Sequence, residues 1–377
     1  MITLYLSILC IAEIPNPILP KCVNNIHYST PKMPDFNPSL VLYTADAMNE
    51  RGAAILANYP DADTLQVTQH NRLPELGMSH YKVKSDVLVL GKLKTKDCKW
   101  SGRSSDYIAP SLANGCFAGC AYCYVDRHKT VNPITLFTNT DEITSAVDAH
   151  TNTLPWPKPA NQTDPTFWTY DIGCNSDISV DYDLNVGIRD VFAFYRDHPR
   201  AKGTFATKFV NRAMLDFDPK RKIRIRFSLM PNQVGKLVDV RTDSIEKRIA
   251  AINDFYDAGY EVHVNFSPVI VYGGKQWRDD YRDLFRQLDA AVRPDVKAQL
   301  QSEVIFLTHN QAQHQANLAI NPRAEELLWV PELQENKQSQ FGGWNIRYNH
   351  QLKGKMITIF ERMVAEEIPW CRIRYIF

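Results

Sequence analysis

From about residue 104 to residue 310, short apolar runs alternate with longer amphipathic segments. The strand-like runs are residues 106–112, 167–172, 203–207, 223–229, 261–271 and 303–308. Between them, residues 141–150, 184–196, 242–258 and 277–292 carry a helical period. The third of these is the clearest. Ile245, Ile249, Ile252 and Phe255 repeat at three and four, Thr242 or Asp243 can cap the start, and Gly259 follows the end. This alternation predicts parallel strands joined by crossover helices. About six such β/α units suit a partial or full barrel, whose active site lies at the C-terminal ends of its strands.

The pattern is different on either side. Residues 40–44 alternate as a strand, 45–59 read as a helix and 86–90 as another strand. Residues 91–103 form a basic linker with Lys92, Lys94, Lys96, Lys99 and Arg103, either a solvated loop or a phosphate contact. After Asn310 the period is lost in a Gln/Asn-rich stretch. It returns as a helix near 355–367, followed by a β-like tail from Arg372.

One strand is unusual. Lys222, Arg224, Arg226 and Ser228 share a face by the period of two, while Ile223, Ile225 and Phe227 share the other. If the apolar face packs on helices, a row of cations faces the barrel interior. Buried cations must be paired, so interior carboxylates or an opening to a ligand are expected there.

The 377-residue chain is 44% hydrophobic and 23% charged, enough for one large α/β domain with additions or for two domains. Its net charge of +1 gives no global nucleic-acid footprint, so any DNA contact needs a local basic patch. Residues 4–14 are apolar but too short to span a bilayer, and no positive charge precedes them. No membrane association is therefore expected. Residues 1–33 read as a leader, either disordered or a mis-assigned start.

Three of the eight cysteines fall within eight residues: Cys116, Cys120 and Cys123, with three and then two residues between them. Thiolates so close together can converge on one soft metal centre. Three of them on a cubane cluster leave one iron without a protein ligand, open to a substrate or cofactor. A structural zinc site completed by His128 is the alternative. The other cysteines, Cys10, Cys22, Cys98, Cys174 and Cys371, are scattered. Free thiols and a redox-labile cluster fit a reducing cytosol, and so a cytoplasmic protein. Other candidates sit at predicted strand ends: Cys174 after the second strand, Lys208 after the third, Ser228 closing the fourth.

The loop, with Tyr122 as its aromatic residue, resembles the signature of the radical S-adenosylmethionine (SAM) enzymes. Further residues narrow the likeness. Asp171-Ile-Gly-Cys174-Asn-Ser176-Asp177, Ser104-Ser-Asp-Tyr107, Tyr122-Cys-Tyr124, Ala206-Thr-Lys208, Arg224-Ile-Arg-Phe-Ser228 and Arg347-Tyr348 resemble, in order, the spore photoproduct lyase family. The resemblance implies an α/β fold: a partial (β/α)6 TIM-like barrel of the radical SAM type with N-terminal and C-terminal additions. The chain then divides into the leader 1–33, an N-terminal α/β region with the basic linker at 34–103, the barrel at 104–310, and a substrate- and DNA-contacting region at 311–377.

The implied activity is that of a DNA repair lyase, reverting 5-thyminyl-5,6-dihydrothymine to two thymines through a 5′-deoxyadenosyl radical. The implied cofactors are a [4Fe-4S] cluster on Cys116, Cys120 and Cys123, and SAM held by Ser176, Lys208 and Ser228. Cys174 takes the place of the hydrogen-atom donor, Tyr124 and then Tyr122 return the hydrogen, and Arg347 and Tyr348 meet the lesion. UV-damaged DNA and an external one-electron donor such as flavodoxin or ferredoxin are the implied partners. There are departures from the family pattern. Asn175 replaces a threonine, a Pro-rich insertion occupies residues 154–159, and residues 310–341 are hard to match. The last two are expected near the substrate grip, so they bear on the lesion more than on the radical chemistry. A radical enzyme acting on another nucleotide or small molecule stays open at this point, as does a non-catalytic cluster- or zinc-carrying nucleic-acid-binding module.

Overall fold

Apolar strand faces organise the computed structural model, which describes residues 36–125, 132–338 and 344–377. The leader, His128 and the Gly342-Gly343 pair lie outside those residues. Seven strands run parallel in one sheet and neighbour each other in chain order: β1 (Tyr107–Ile108), β2 (Trp168–Asp171), β3 (Ala201–Thr207), β4 (Ile223–Leu229), β5 (Glu261–Val269), β6 (Gln301–Phe306) and β7 (Arg372–Ile376). The sheet curls into a half-barrel. The first six match the predicted units. The seventh is the β-like tail, which pairs with β6 and extends the barrel sheet.

The helices keep to the predicted segments: α1 (Thr140–Thr153), α2 (Gly187–Asp197), α3 (Ile245–Asp257) and α4 (Gln276–Ala291). Along α3 the side chains of Ile245, Ile249, Ile252 and Phe255 are all buried, each contributing roughly 1.5–3 kcal/mol. Its cap is neither of the expected residues. Ser244 accepts from the Lys247 N–H at 3.2 Å, because Thr242 donates to the Asp239 carbonyl and Asp243 accepts from the Val210 N–H.

The cationic row of β4 faces carboxylates, as its pattern requires. Arg224 pairs with Glu261 (2.7 Å) and Asp164 (3.2 Å), and Arg226 with Asp171 (2.6 Å) and Glu303 (2.9 Å). Glu303 also pairs with Arg374 of β7. On the opposite face Ile223, Ile225 and Phe227 are fully buried.

A second, five-stranded sheet holds Leu40–Tyr43 between Asp63–Gln66 and Val87–Gly91, then Ile134–Phe137 and Ala113–Asn114. The helix expected over residues 45–59 is a 3-10 turn, Ala45–Ala47, and then a helix, Glu50–Leu56, capped by Asn49. In the basic linker, Lys92 and Lys96 both pair with Glu142 of α1, at 2.6 and 3.0 Å.

Two expectations about the poorly matched segments change. The Pro-rich insertion does not lie near the substrate grip. Lys158 forms a fully buried pair with Asp106 (2.8 Å), and Asp164 pairs with Lys202 and Arg224, near the N-terminal ends of β1, β3 and β4. The segment therefore covers the end of the barrel opposite the cysteines. The Gln/Asn-rich stretch is not irregular either. It forms α5 (Gln311–Ile320) and α6 (Pro322–Leu328), ahead of the predicted C-terminal helix α7 (His350–Glu367). The buried positions of α5 are Gln313 and Asn317, both polar, so a hydrophobic period could not reveal it.

Candidate active site

The C-terminal ends of β2 to β6 and the cysteine loop line one cavity of about 570 Å³. The chain enters the loop from the second sheet, not directly from β1 as the sequence implied. β1 ends at Ile108, and Ala113–Asn114 pairs with Ile134–Phe137 before Cys116 is reached. At Gly115 the backbone has φ +92°, and a Cβ there would lie 2.7 Å from the Pro133 carbonyl, so glycine is required. Gly119–Cys120 pairs antiparallel with Asp239–Val240, and Lys84 donates to the Ala118 carbonyl at 2.5 Å. The loop is thus pinned by two remote segments, one before it in the chain and one after it.

Cys116, Cys120 and Cys123 all line the cavity. Their sulfurs do not gather as ligands of a single ion. Among the described residues, His309, His314 and Glu325 form the sole trio of such ligand atoms lying within 4.8 Å of one another. A tetrahedral zinc with 2.3 Å bonds holds its sulfurs about 3.8 Å apart. A multi-iron cluster spreads its thiolates more widely than a single ion does. Burial pushes the Cys116 and Cys120 thiols up, Cys120 to about 12. Thiols this deep ionise on binding a cation, which is how metal loading couples to deprotonation.

Lys208 reaches over the loop from the end of β3. Its ammonium pairs with Asp239 at 2.6 Å, contacts the Tyr122 hydroxyl and lies 3.8 Å from the Cys120 sulfur. The Tyr122 hydroxyl also donates to Asp239. Arg248 backs the same carboxylate at 3.3 Å and donates to the Ser228 carbonyl at 2.7 Å. One carboxylate therefore sets Tyr122 and Lys208 together beside the thiols.

Cys174 follows β2 on the same cavity. The Tyr124 hydroxyl donates to its carbonyl and stands 3.5 Å from its sulfur. Burial, and then the Asp171 carboxylate, push the Cys174 thiol up, so it keeps its hydrogen at neutral pH. Asn175 donates to Ser111 (2.7 Å), and its carbonyl accepts from the Gly115 N–H (2.9 Å), joining this element to the start of the cysteine loop. Ser176 donates to Asp181 at 2.6 Å. Asp177 caps the helix Ile178–Leu184 and also accepts from the Thr207 hydroxyl and the Lys208 N–H. Burial pushes its carboxyl up to about 6.

Nine sequence-predicted residues meet at this cavity: Cys116, Cys120, Tyr122, Cys123, Tyr124, Cys174, Ser176, Lys208 and Ser228. Arg347 and Tyr348 do not line it. Arg347 is paired with Glu335 at 2.9 Å on a hairpin of Gln334–Gln338 and Trp344–Tyr348. Tyr348 is 1% exposed, and its hydroxyl accepts from the Val271 N–H, so it packs in the core. From that hairpin it is Asn345 that lines the cavity. Sequence reasoning also missed Asp239 and Lys84. Neither lies in a motif, and each reaches the loop through pairing of distant segments.

A family model described as spore photoproduct lyase matches residues 36–377. The spore photoproduct lyase of Bacillus subtilis (strain 168) is 30% identical over 247 residues, covering 64% of this chain and 68% of that protein. The spore photoproduct lyase of Geobacillus sp. (strain Y412MC61) is 25% identical over 266 residues, 68% of this chain and 74% of the relative. Among solved structures, a spore photoproduct lyase double mutant with bound AdoMet and dinucleoside spore photoproduct covers 91% of this chain and 100% of its own, with a TM-score of 0.81 at 21% identity. A spore photoproduct lyase complexed with dinucleoside spore photoproduct has the same coverage and a TM-score of 0.80 at 22% identity. These structures share the fold.

Proposed function

The chain belongs to the spore photoproduct lyase family, and from that premise we propose how its own residues carry out the reaction. It is a radical SAM carbon–carbon lyase of DNA repair, reverting 5-thyminyl-5,6-dihydrothymine to two thymines with a [4Fe-4S] cluster and SAM as cofactors. When bound, those cofactors supply a 5′-deoxyadenosyl radical that removes a hydrogen atom from the dimer.

Cys116, Cys120 and Cys123 hold the cluster. Lys208, Ser176 and Ser228 line the same cavity and would hold the polar parts of SAM, with Asp239 fixing the direction of the Lys208 ammonium. Cys174 holds a hydrogen atom at Sγ and gives it to the thymine allyl radical, leaving a thiyl. Tyr124 refills that thiyl with its phenolic hydrogen, and Tyr122 is the next phenol along the loop. The observation that carries this reading is the meeting of three thiols, Cys174 and both phenols in one cavity.

The substrate is a UV-damaged thymine pair in DNA, and its exposure costs unstacking energy that protein contacts offset. Flavodoxin or ferredoxin fits the need for a one-electron donor. Among the described residues no helix is long and apolar enough to cross a membrane. The six described cysteines are all free, which supports a reducing, cytoplasmic setting.

The test is anaerobic reconstitution, reduction with dithionite, and incubation with SAM and UV-irradiated DNA. Loss of spore photoproduct with formation of thymine is expected. Cleavage of SAM without decline of the photoproduct would refute the substrate assignment.

A further inference from the structure

The poorly matched segment after Asn310 brings two of its side chains to His309, and the reaction proposed above gives none of the three a role. His309 is the central residue of the short strand Thr308–Asn310, His314 lies in the first turn of α5, and Glu325 lies in α6. His309 Nε2 stands 3.1 and 3.2 Å from the two carboxylate oxygens of Glu325, and His314 Nδ1 stands 2.5 Å from Oε2. One ligand atom from each residue lies within 4.8 Å of the others. We propose that His309, His314 and Glu325 form a second metal site, for a divalent transition ion of the zinc or ferrous class.

The charge at this place asks for a cation. Glu325 is 4% exposed, and among the described residues its ion pairs are with the two imidazoles alone. Buried charges are paired or coordinate metals, and an ion held between this carboxylate and the two ring nitrogens would serve as its partner. The donor set selects the metal. Two imidazole nitrogens with one carboxylate suit zinc or iron(II), whereas magnesium and calcium favour oxygen ligands.

The surroundings orient these ligands. Trp329 stacks on the His314 ring with centroids 4.0 Å apart and an interplanar angle of 13°. Asn317 donates to Glu325 Oε1, and Gln313 donates to the Asn317 amide oxygen at 3.0 Å. Such outer partners fix ligand geometry in metal sites. His309 also lines the large cavity, so the ion is accessible from it and can take water or another oxygen ligand there.

The site also connects to the cysteine loop. The same Asn317 amide donates to the Ala121 carbonyl at 2.6 Å, between Cys120 and Tyr122. An ion on Glu325 therefore braces the loop from outside. The inference does not rest on the lyase reading, because it needs neither the lesion nor SAM.

The experiment is a titration of the reconstituted, full-length holoprotein, cluster in place, with Co(II), read by visible spectroscopy and metal analysis. One Co(II) per chain is expected, with ligand-field bands and without thiolate-to-cobalt charge transfer. Affinity should fall more than about tenfold in both Glu325→Gln and His314→Gln, with cluster iron unchanged. Because Glu325 is buried, its variant is open to misfolding; His314 is more exposed and decides the matter. A His314→Gln protein that melts like the wild type and binds Co(II) equally well overturns the proposal. Absence of stoichiometric binding to the wild type, or a thiolate charge-transfer band, does the same.

Discussion

The Tyr124 hydroxyl stands 3.5 Å from the Cys174 sulfur while donating its hydrogen to the carbonyl of the same cysteine. A rotation about the phenolic C–O bond is enough to re-aim that hydrogen at the sulfur. Tyr124→Phe should therefore leave the first round of repair intact and slow later rounds by about tenfold, or roughly 1.4 kcal/mol. Counting photoproducts repaired per SAM consumed, in single and multiple turnover, checks this. Equal multiple-turnover rates would exclude Tyr124 from the return path.

Cys174→Ala removes the hydrogen held at Sγ but none of the cofactor-facing groups. SAM cleavage should continue, while the thymine radical is diverted into side products. Product chromatography reads both, and clean repair by this variant would end the proposed role of Cys174.

Cys120→Ala should abolish the cluster. Iron per chain and the visible thiolate-to-iron absorption after reconstitution should fall to background. A variant that retains a full cluster would mean that Cys120 is not a ligand.

Glu303 predicts a pH dependence of stability. Burial alone would push its carboxyl up, but the charges of Arg226 and then Arg374 outweigh it and hold it down, from an ordinary 4.5 to about 2. The native state thus binds this proton less readily than the unfolded chain. The resulting stability, about 3 kcal/mol, is present above about pH 4.5 and is lost as pH falls through about 2. Glu303→Gln leaves two buried guanidinium groups without this partner and should cost about 3–5 kcal/mol at neutral pH. Its denaturation midpoints should also fall less steeply on the acid side than the wild type's; an equal slope would mean that other groups are responsible.

Tyr348→Phe deprives the Val271 N–H of its acceptor. We expect a loss of about 1–3 kcal/mol in stability with unchanged affinity for damaged DNA. A selective loss of DNA affinity at wild-type stability would restore Tyr348 as a substrate contact.

Local order along the chain was enough to identify the barrel and most of its site. Period-two and period-3.6 patterns are local, so β2 to β6 and α1 to α4 were legible from the spacing of apolar and aromatic residues. The three-cysteine spacing and the Cys174-x-Ser176 element are equally local, and both reach the cavity. The β4 cations even announced their interior carboxylates, since a row of buried charge demands partners.

What only the tertiary structure decided involves groups brought together from far apart in the chain. Asp239 meets Lys208 and Tyr122 through pairing of its strand with Gly119–Cys120, and Lys84 arrives from the helix His80–Asp86. Arg372–Ile376 becomes a barrel strand only because β6 offers an edge. Tyr348 turned inward and the Pro-rich insertion went to the far end of the barrel, neither of which a likeness of motifs could tell. The α5 and α6 pair was not legible because the buried positions of α5 are the amides Gln313 and Asn317, and α6 buries Glu325 beside Ala324 and Leu328; the partners of such polar groups are set by the fold and not by periodicity.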